Sequence, residues 1–291
     1  MEYFLQVLVN GLMVGGVYAL VAVGYSVVYG LLGFINFAHG EVMTLGAYIF
    51  FTFHVLCGMG ILASAIAAVL LAGIASAVVE RVAYRPLRRS SRLSLLLSAL
   101  AVSAIIQNTL GLVFGYGVLS VRKGVVFAPI RLGVVTISRV HLGILLVLTV
   151  LVICLVFFLR YLRTGVVLRA TAESIELAEA AGINTDRVIA WTFFVAGALA
   201  SLAGLTICMD QDLHPLMGFT LGIKAFTASV LGGVGNLIGA VYAGLLLGLG
   251  ESLAAGWLPA GYKDALVYVI LIGCLLVRPQ GLFQKPTVRP Y

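Results

Sequence analysis

Asn36, His39 and Glu41 stand in the stretch "GFINFAHGEVM" (33 to 43), between two long runs, 3 to 40 and 42 to 79, that contain no Lys, Arg, Asp or Glu. An amide, an imidazole and a carboxylate this close together could meet a polar solute, carry a proton or hold an ion. An ionisable side chain in hydrocarbon costs about 2.5–3.5 kcal/mol on insertion scales, so Glu41 is not expected to face lipid. Two placements fit equally: the lining of a translocation path, or an interface position where the carboxylate meets the positive end of a helix. A second interruption falls in "SVLGGVGNLIGA" (229 to 240), where Gly232, Gly233, Gly235 and Asn236 should break an otherwise apolar helix. Glycines beside an asparagine, once early and once late, match the broken helices that surround a midplane path in transporters built from repeats. Close helix packing is the competing use of small residues, and it suits Gly239, Gly244, Gly248 and Gly250 better.

A third group lies in the most polar stretch, "RATAESIELAEAAGINTDR" (169 to 187). Thr171 as N-cap, Glu173 in a first turn and Gly182 as a left-handed stop predict a helix of about ten residues. Glu173, Glu176 and Glu179 recur at every third position, and Ile175, Ala178 and Ala181 do so on another face. A solvated connector would carry such a pattern. Three carboxylates, however, suit an anionic leaflet poorly, whereas a small Ala-rich face suits a groove in a partner subunit.

The elements that position these groups follow from composition. The 291 residues are 62% apolar and only 10% charged, against about 25% charged in soluble domains. This is an integral membrane protein, and its uncharged runs should be helices because lipid offers backbone groups no partner. Spans are expected near 5–30, 37–54, 61–80, 94–115, 141–160 and 188–209, with a turn at His54–Gly60. Segments 222–231, 236–252 and 259–277 complete an all-α bundle of about eight spans, or nine if the short 222–231 crosses. The N-terminus, without a basic n-region, reads as a retained span.

Arg81, Arg85, Arg88, Arg89 and Arg92 in one loop, with Arg160, Arg163, Arg169 and Arg187 around another, outnumber the basic residues of 122–139 and mark the cytoplasmic side. The net charge of +7 therefore reports orientation in a bilayer rather than nucleic-acid binding. The N-terminus is expected outside. The four cysteines and four histidines show no metal-ligand spacing, so neither a metal nor another cofactor is expected. No G-x-x-x-x-G-K-[ST] loop is present, which excludes a self-contained P-loop ATPase, and no GxSxG or HExxH supports an enzyme. Weaker signals are Asp210, Asp212 and His214 in an outer loop, a short hairpin or interfacial strand in 122–139, and Arg85–Arg89 as a cytoplasmic anchor.

Four stretches in order carry a resemblance: "GLLGFINFAHGEVMTLGAY" (30 to 48), "RATAESIELAEAAGINTDRVIAWTFFVAGALASLAG" (169 to 204), "PLMGFTLGIKAFTASVLGGVGNLIGAVYAGLLLGLGES" (215 to 252) and "VRPQGLF" (277 to 283). Together they resemble the LivH-type permease of branched-chain amino-acid ABC importers. The resemblance implies one transmembrane permease domain over 1–291 with a cytoplasmic coupling loop at 164–187. It implies a second homologous permease, two cytoplasmic ABC ATPases and an external solute-binding protein as partners, in a bacterial inner membrane. Leucine, isoleucine and valine enter through this resemblance alone, and similar permeases are associated with urea or short amides. It also places Glu179, Ala180, Ala181 and Gly182 in the coupling helix, although no Ile-x-Leu-Pro follows Gly182. The rival reading is a self-sufficient ion-coupled transporter using Glu41 or Lys224.

Overall fold

A computed structural model describes residues 2–88, 90–121, 130–132, 135–137, 139–257, 262–278 and 280–283. The chain opens with the 31-residue helix α1 (Glu2–Leu32), followed by α2 (His39–Phe51), α3 (Ile61–Val79) and α4 (Arg92–Phe114). A two-stranded ribbon, β1 (Ile130–Leu132) and β2 (Val135–Ile137), pairs antiparallel and leads into α5 (Arg139–Tyr161). Then come α6 (Arg163–Glu173), α7 (Ile175–Ala180), α8 (Thr185–Asp210), α9 (Met217–Gly232), α10 (Leu237–Trp257) and α11 (Tyr262–Val277). The hairpin expected in 122–139 is present in its strands, while 122–129, 133–134 and 138 lie outside the described residues. The bundle is otherwise helical.

Five helices among the described residues are long and apolar enough to cross a membrane: Tyr3–Leu32, Ile61–Leu87, Arg92–Phe114, Thr185–Asp210 and Leu237–Trp257. In Ile61–Leu87 and Arg92–Phe114 only 28% and 22% of the most apolar stretch is buried inside the bundle, so much of their apolar surface faces outward. Burial instead concentrates on α1, 67% buried, and α8, 61% buried. Small residues let these central helices approach closely: a Cβ at Gly15 would stand 2.8 Å from Leu245 Cα, and one at Gly244 2.7 Å from Ala19 Cα. The pairing Gly15–Leu245 and Ala19–Gly244 makes α1 and α10 antiparallel.

Three boundaries differ from expectation. Helix α9 starts at Met217 rather than 222, because the loop 211–216 delivers the chain directly onto α2. The turn after α2 narrows to Cys57–Gly60, since His54 joins a π-turn, Thr52–Leu56, and its Nδ1 meets the Met59 carbonyl at 2.8 Å. The acidic stretch is two helices, not one. Ser174 is extended (φ −156°, ψ 116°) and its hydroxyl accepts the Leu177 amide at 3.2 Å, so Ser174 rather than Thr171 caps α7. Thr171 is buried in the last part of α6 and donates to the Val167 carbonyl at 2.8 Å.

Candidate functional site

Four constellations bear on function, and the first lies where α1 turns into α2. Gly33 (φ 65°) ends α1, after which the Asn36 Oδ1 accepts the Ala38 amide at 3.2 Å and the Tyr84 hydroxyl at 2.7 Å. Tyr84 is wholly buried, edge-on to Phe34 at 5.3 Å and tilted against Phe193 at 5.6 Å. Asn36 thus ties the α1–α2 corner to the end of α3. The buried His39 ring lies edge-on to Tyr25 at 4.7 Å and fills the space that a side chain at Gly24 would need.

Glu41, 1% exposed, sits in the first turn of α2. There α2 meets the first turns of α9: a Cβ at Gly40 would be 2.9 Å from Gly222 Cα, and one at Gly218 would be 2.7 Å from Glu41 Oε2. The two N-terminal turns overlap in opposite directions, so the positive ends of both helices adjoin the Glu41 carboxyl group. His39 and Glu41 are both buried where α2 packs on α9.

The glycine break does end α9, at Gly232, with Gly233 (φ 88°) and Gly235 (φ 89°) in the left-handed region that side chains disfavour. Asn236 Oδ1 accepts the Gly239 amide at 3.0 Å and so caps α10, while its Nδ2 donates to the Phe283 carbonyl at 3.1 Å. The Leu282 amide donates to the Leu231 carbonyl at 2.8 Å, binding the tail "QGLF" to this corner. A Cβ at Gly235 would lie 3.4 Å from Gly30 Cα, which brings the corner beside the end of α1. The structure therefore sets the Gly232–Asn236 corner beside Gly30 through Gly235, whereas His39 and Glu41 pack against Gly24 and Gly218 instead.

On the same face the acidic segment projects. Arg85 and Arg88 both grip Asp186 at the start of α8, and Arg88 also pairs with the buried Glu80. This clamp fixes the base from which α7 hangs. Helix α7 docks through Ile175 and the buried Ala178, and Gly182 (φ 82°) stops it. Glu179 Oε1 accepts the Thr185 hydroxyl at 2.7 Å, bracing α7 against α8. Glu173 ends α6, while Glu176, Ala180 and Ala181 are exposed, so Ala181 does not share the docked face with Ala178. Leu177, 73% exposed, heads this outer surface and was overlooked in the sequence, because its spacing fits neither the acidic nor the alanine register. A cleft of about 600 Å3 opens beside it between the end of α1 and the α6–α7 joint.

The fourth constellation centres on the middle of α9. Lys224 Nζ lies 2.6 Å from Glu251 Oε1 and 2.6 Å from Asp264 Oδ1, joining α9, α10 and α11. The Tyr18 hydroxyl donates to Glu251 Oε2 at 2.6 Å, and the ammonium stands 5.8 Å from the Tyr18 ring centre. Lys224 and Glu251 bracket the uncharged run 225–250, so in sequence they read as its boundaries rather than as partners.

Comparison with known proteins decides the family. The family model described as "Branched-chain amino acid transport system / permease component" matches residues 7–275. The chain belongs to this family. Among the relatives of this permease, the high-affinity branched-chain amino acid transport system permease protein LivH of Salmonella typhimurium is 41% identical over 98% of this chain and 97% of that protein. BraD of Pseudomonas aeruginosa, bearing the same description, is 40% identical over 98% and 97%. A probable LivH of Methanocaldococcus jannaschii is 28% identical over 95% and 91%. Among solved structures, PsaBC from Streptococcus pneumoniae superposes with a TM-score of 0.54 at 14% identity, covering 95% of this chain and 92% of that one. An inward-facing metal-chelate type ABC transporter gives 0.52 at 17% identity over 94% and 85%. The fold is that of ABC transporter permeases, and the permease is a multi-pass membrane protein and not an enzyme. An ion-coupled carrier built on Glu41 or Lys224 does not fit that family.

Proposed function

We propose that this permease carries branched-chain amino acids through a bacterial inner membrane as one of two homologous membrane subunits, driven by two cytoplasmic ABC ATPases and fed by an external solute-binding protein. The observation that supports this reading best is α7: a short, capped helix braced at its base, with a buried inner face and with Glu176, Leu177 and Ala180 outward. An exposed leucine flanked by carboxylates, held on the arginine-rich side, is suited to a groove of a cytoplasmic partner. Residues 164–187 then form the coupling loop, with Glu173, Glu176, Glu179, Ala180, Ala181 and Gly182 at or beside the contact. Asn36, His39, Glu41 and the corner Gly232–Asn236 line or shape the path when α2 and α9 part.

Of the two span counts the sequence allows, the course of α9 favours nine. Helix α8 starts at the arginine clamp and ends at the far face, whereas α10 starts beside Gly30 on the clamp face. The 16-residue α9 must therefore traverse the bundle between them. On this reading the N-terminus lies outside and the tail in the cytoplasm.

Reconstitution tests the function. Vesicles holding this chain, a second permease and the ATPases are expected to accumulate leucine only with ATP inside the compartment of the ATPases and with a leucine-binding receptor on the other face. Leucine accumulation by this chain alone under a proton or sodium gradient would refute the reading.

A further inference from the structure

The Lys224 cluster borders a cavity on the face opposite α7. It encloses about 180 Å3 and is lined by Lys224, Asp264 and Asp212, with Ile207, Met217 and Leu221 as its apolar side. That volume lies below the roughly 300–1,000 Å3 of drug-sized sites, so its occupant is small. Lys224 is 4% exposed, and two carboxylates, Glu251 and Asp264, share its one charge. Ionisable groups this far inside a membrane bundle are costly and mark solute or ion routes. Of the two anions, Glu251 is buried and held by Tyr18, whereas the Asp264 side chain is 41% exposed and faces the cavity. The Lys224–Asp264 pair is therefore the exchangeable one.

From this arrangement we infer that the cavity is a receiving site for the head group of a zwitterionic amino acid, with Lys224 taking its carboxylate and Asp264 its ammonium. The exchange keeps every charge paired: the Lys224–Asp264 contact opens, and each partner meets the opposite charge of the solute. Glu251 stays on Lys224 and, with Tyr18, fixes where the ammonium points. Ile207, Met217 and Leu221 then offer an aliphatic side chain its apolar contacts, while Gln211, Asp212 and His214 complete the polar part of the lining. The first turn of α9 opens on the same cavity and adds its positive end for the carboxylate. This site rests on the amino-acid reading above and gives it a place on the permease itself, separate from the external receptor.

The test uses the assembled transporter without receptor, its native cysteines replaced, and a cysteine at Thr220, an exposed residue on the cavity wall. Leucine and valine are expected to slow labelling of that cysteine by a water-soluble thiol reagent. Leucinamide, which lacks the carboxylate, and the oxo acid of leucine, which lacks the ammonium, should not. Lys224→Gln should raise the leucine concentration needed for protection on the order of thirtyfold, as expected for removing one member of a buried charge pair. Lys224→Arg should restore most of it. Where Lys224→Gln does not assemble, Asp264→Asn, which leaves the buried Lys224–Glu251 pair intact, carries the same expectation. Equal protection by leucine, leucinamide and the oxo acid, or none by leucine in a complex that pumps leucine when receptor and ATP are added, would overturn the site and leave the importer reading standing. A complex that pumps no branched-chain amino acid would instead overturn the importer reading.

Discussion

The corner before α2 and the corner before α10 are built from the same materials, glycine and asparagine, and serve opposite ends. At the first, Asn36 is 3% exposed and its amide oxygen serves a buried tyrosine, so the corner is locked into the core. At the second, Asn236 is only half-buried and holds the C-terminal tail across the arginine-rich face. Residue type thus announces a break in a helix, but its surroundings decide whether that break is a rigid joint or a surface latch. Only the first corner leads into the close α2–α9 crossing.

Disturbing that crossing should have the largest effect. Gly40→Leu places side-chain atoms where the Gly222 backbone already stands 2.9 Å from a Cβ, and overpacking of this kind costs roughly 1–3 kcal/mol or more. Thermal unfolding of the purified complex should shift down, and the yield of folded protein should fall; an unchanged midpoint would show that the two helices have room to spare. Next in size is Asn36→Ala, which leaves the Tyr84 hydroxyl buried without its acceptor at a cost of about 1–3 kcal/mol. Adding Tyr84→Phe should recover part of that loss, and a strictly additive double variant would break the proposed tie. The smallest effect is expected at the second corner. Asn236→Ala removes an N-cap, about 1 kcal/mol, and should chiefly speed proteolysis of the tail after residue 278. If it destabilises the bundle more than Asn36→Ala does, the comparison is inverted.

The long helices were legible in the sequence because runs without charge report burial in lipid directly. The break at Gly232–Asn236 was equally plain, since Gly233 and Gly235 adopt backbone angles that glycine alone takes readily. Less legible was anything that depends on a partner distant in sequence. Nothing near Asn36 announces Tyr84, and Lys224, Glu251 and Asp264 come from three helices that meet only after packing. The acidic segment shows a middle case. Its stop at Gly182 was readable, but Thr171 and Ser174 are both competent caps, and the choice of Ser174 is made by the burial of Thr171 in α6. Leu177 escaped notice because an exposed leucine has no signature until the helix face that carries it is fixed by Ala178 on the other side.

The central claim, that α7 receives work from a separate ATPase, is tested most directly by Leu177→Asp combined with Ala180→Trp in the reconstituted transporter. ATP hydrolysis should persist at its basal rate while receptor-dependent stimulation and leucine uptake fall together, with all subunits still co-purifying or with the ATPases alone released. Uptake and stimulation at the unmodified level, with the complex intact, would contradict the claim.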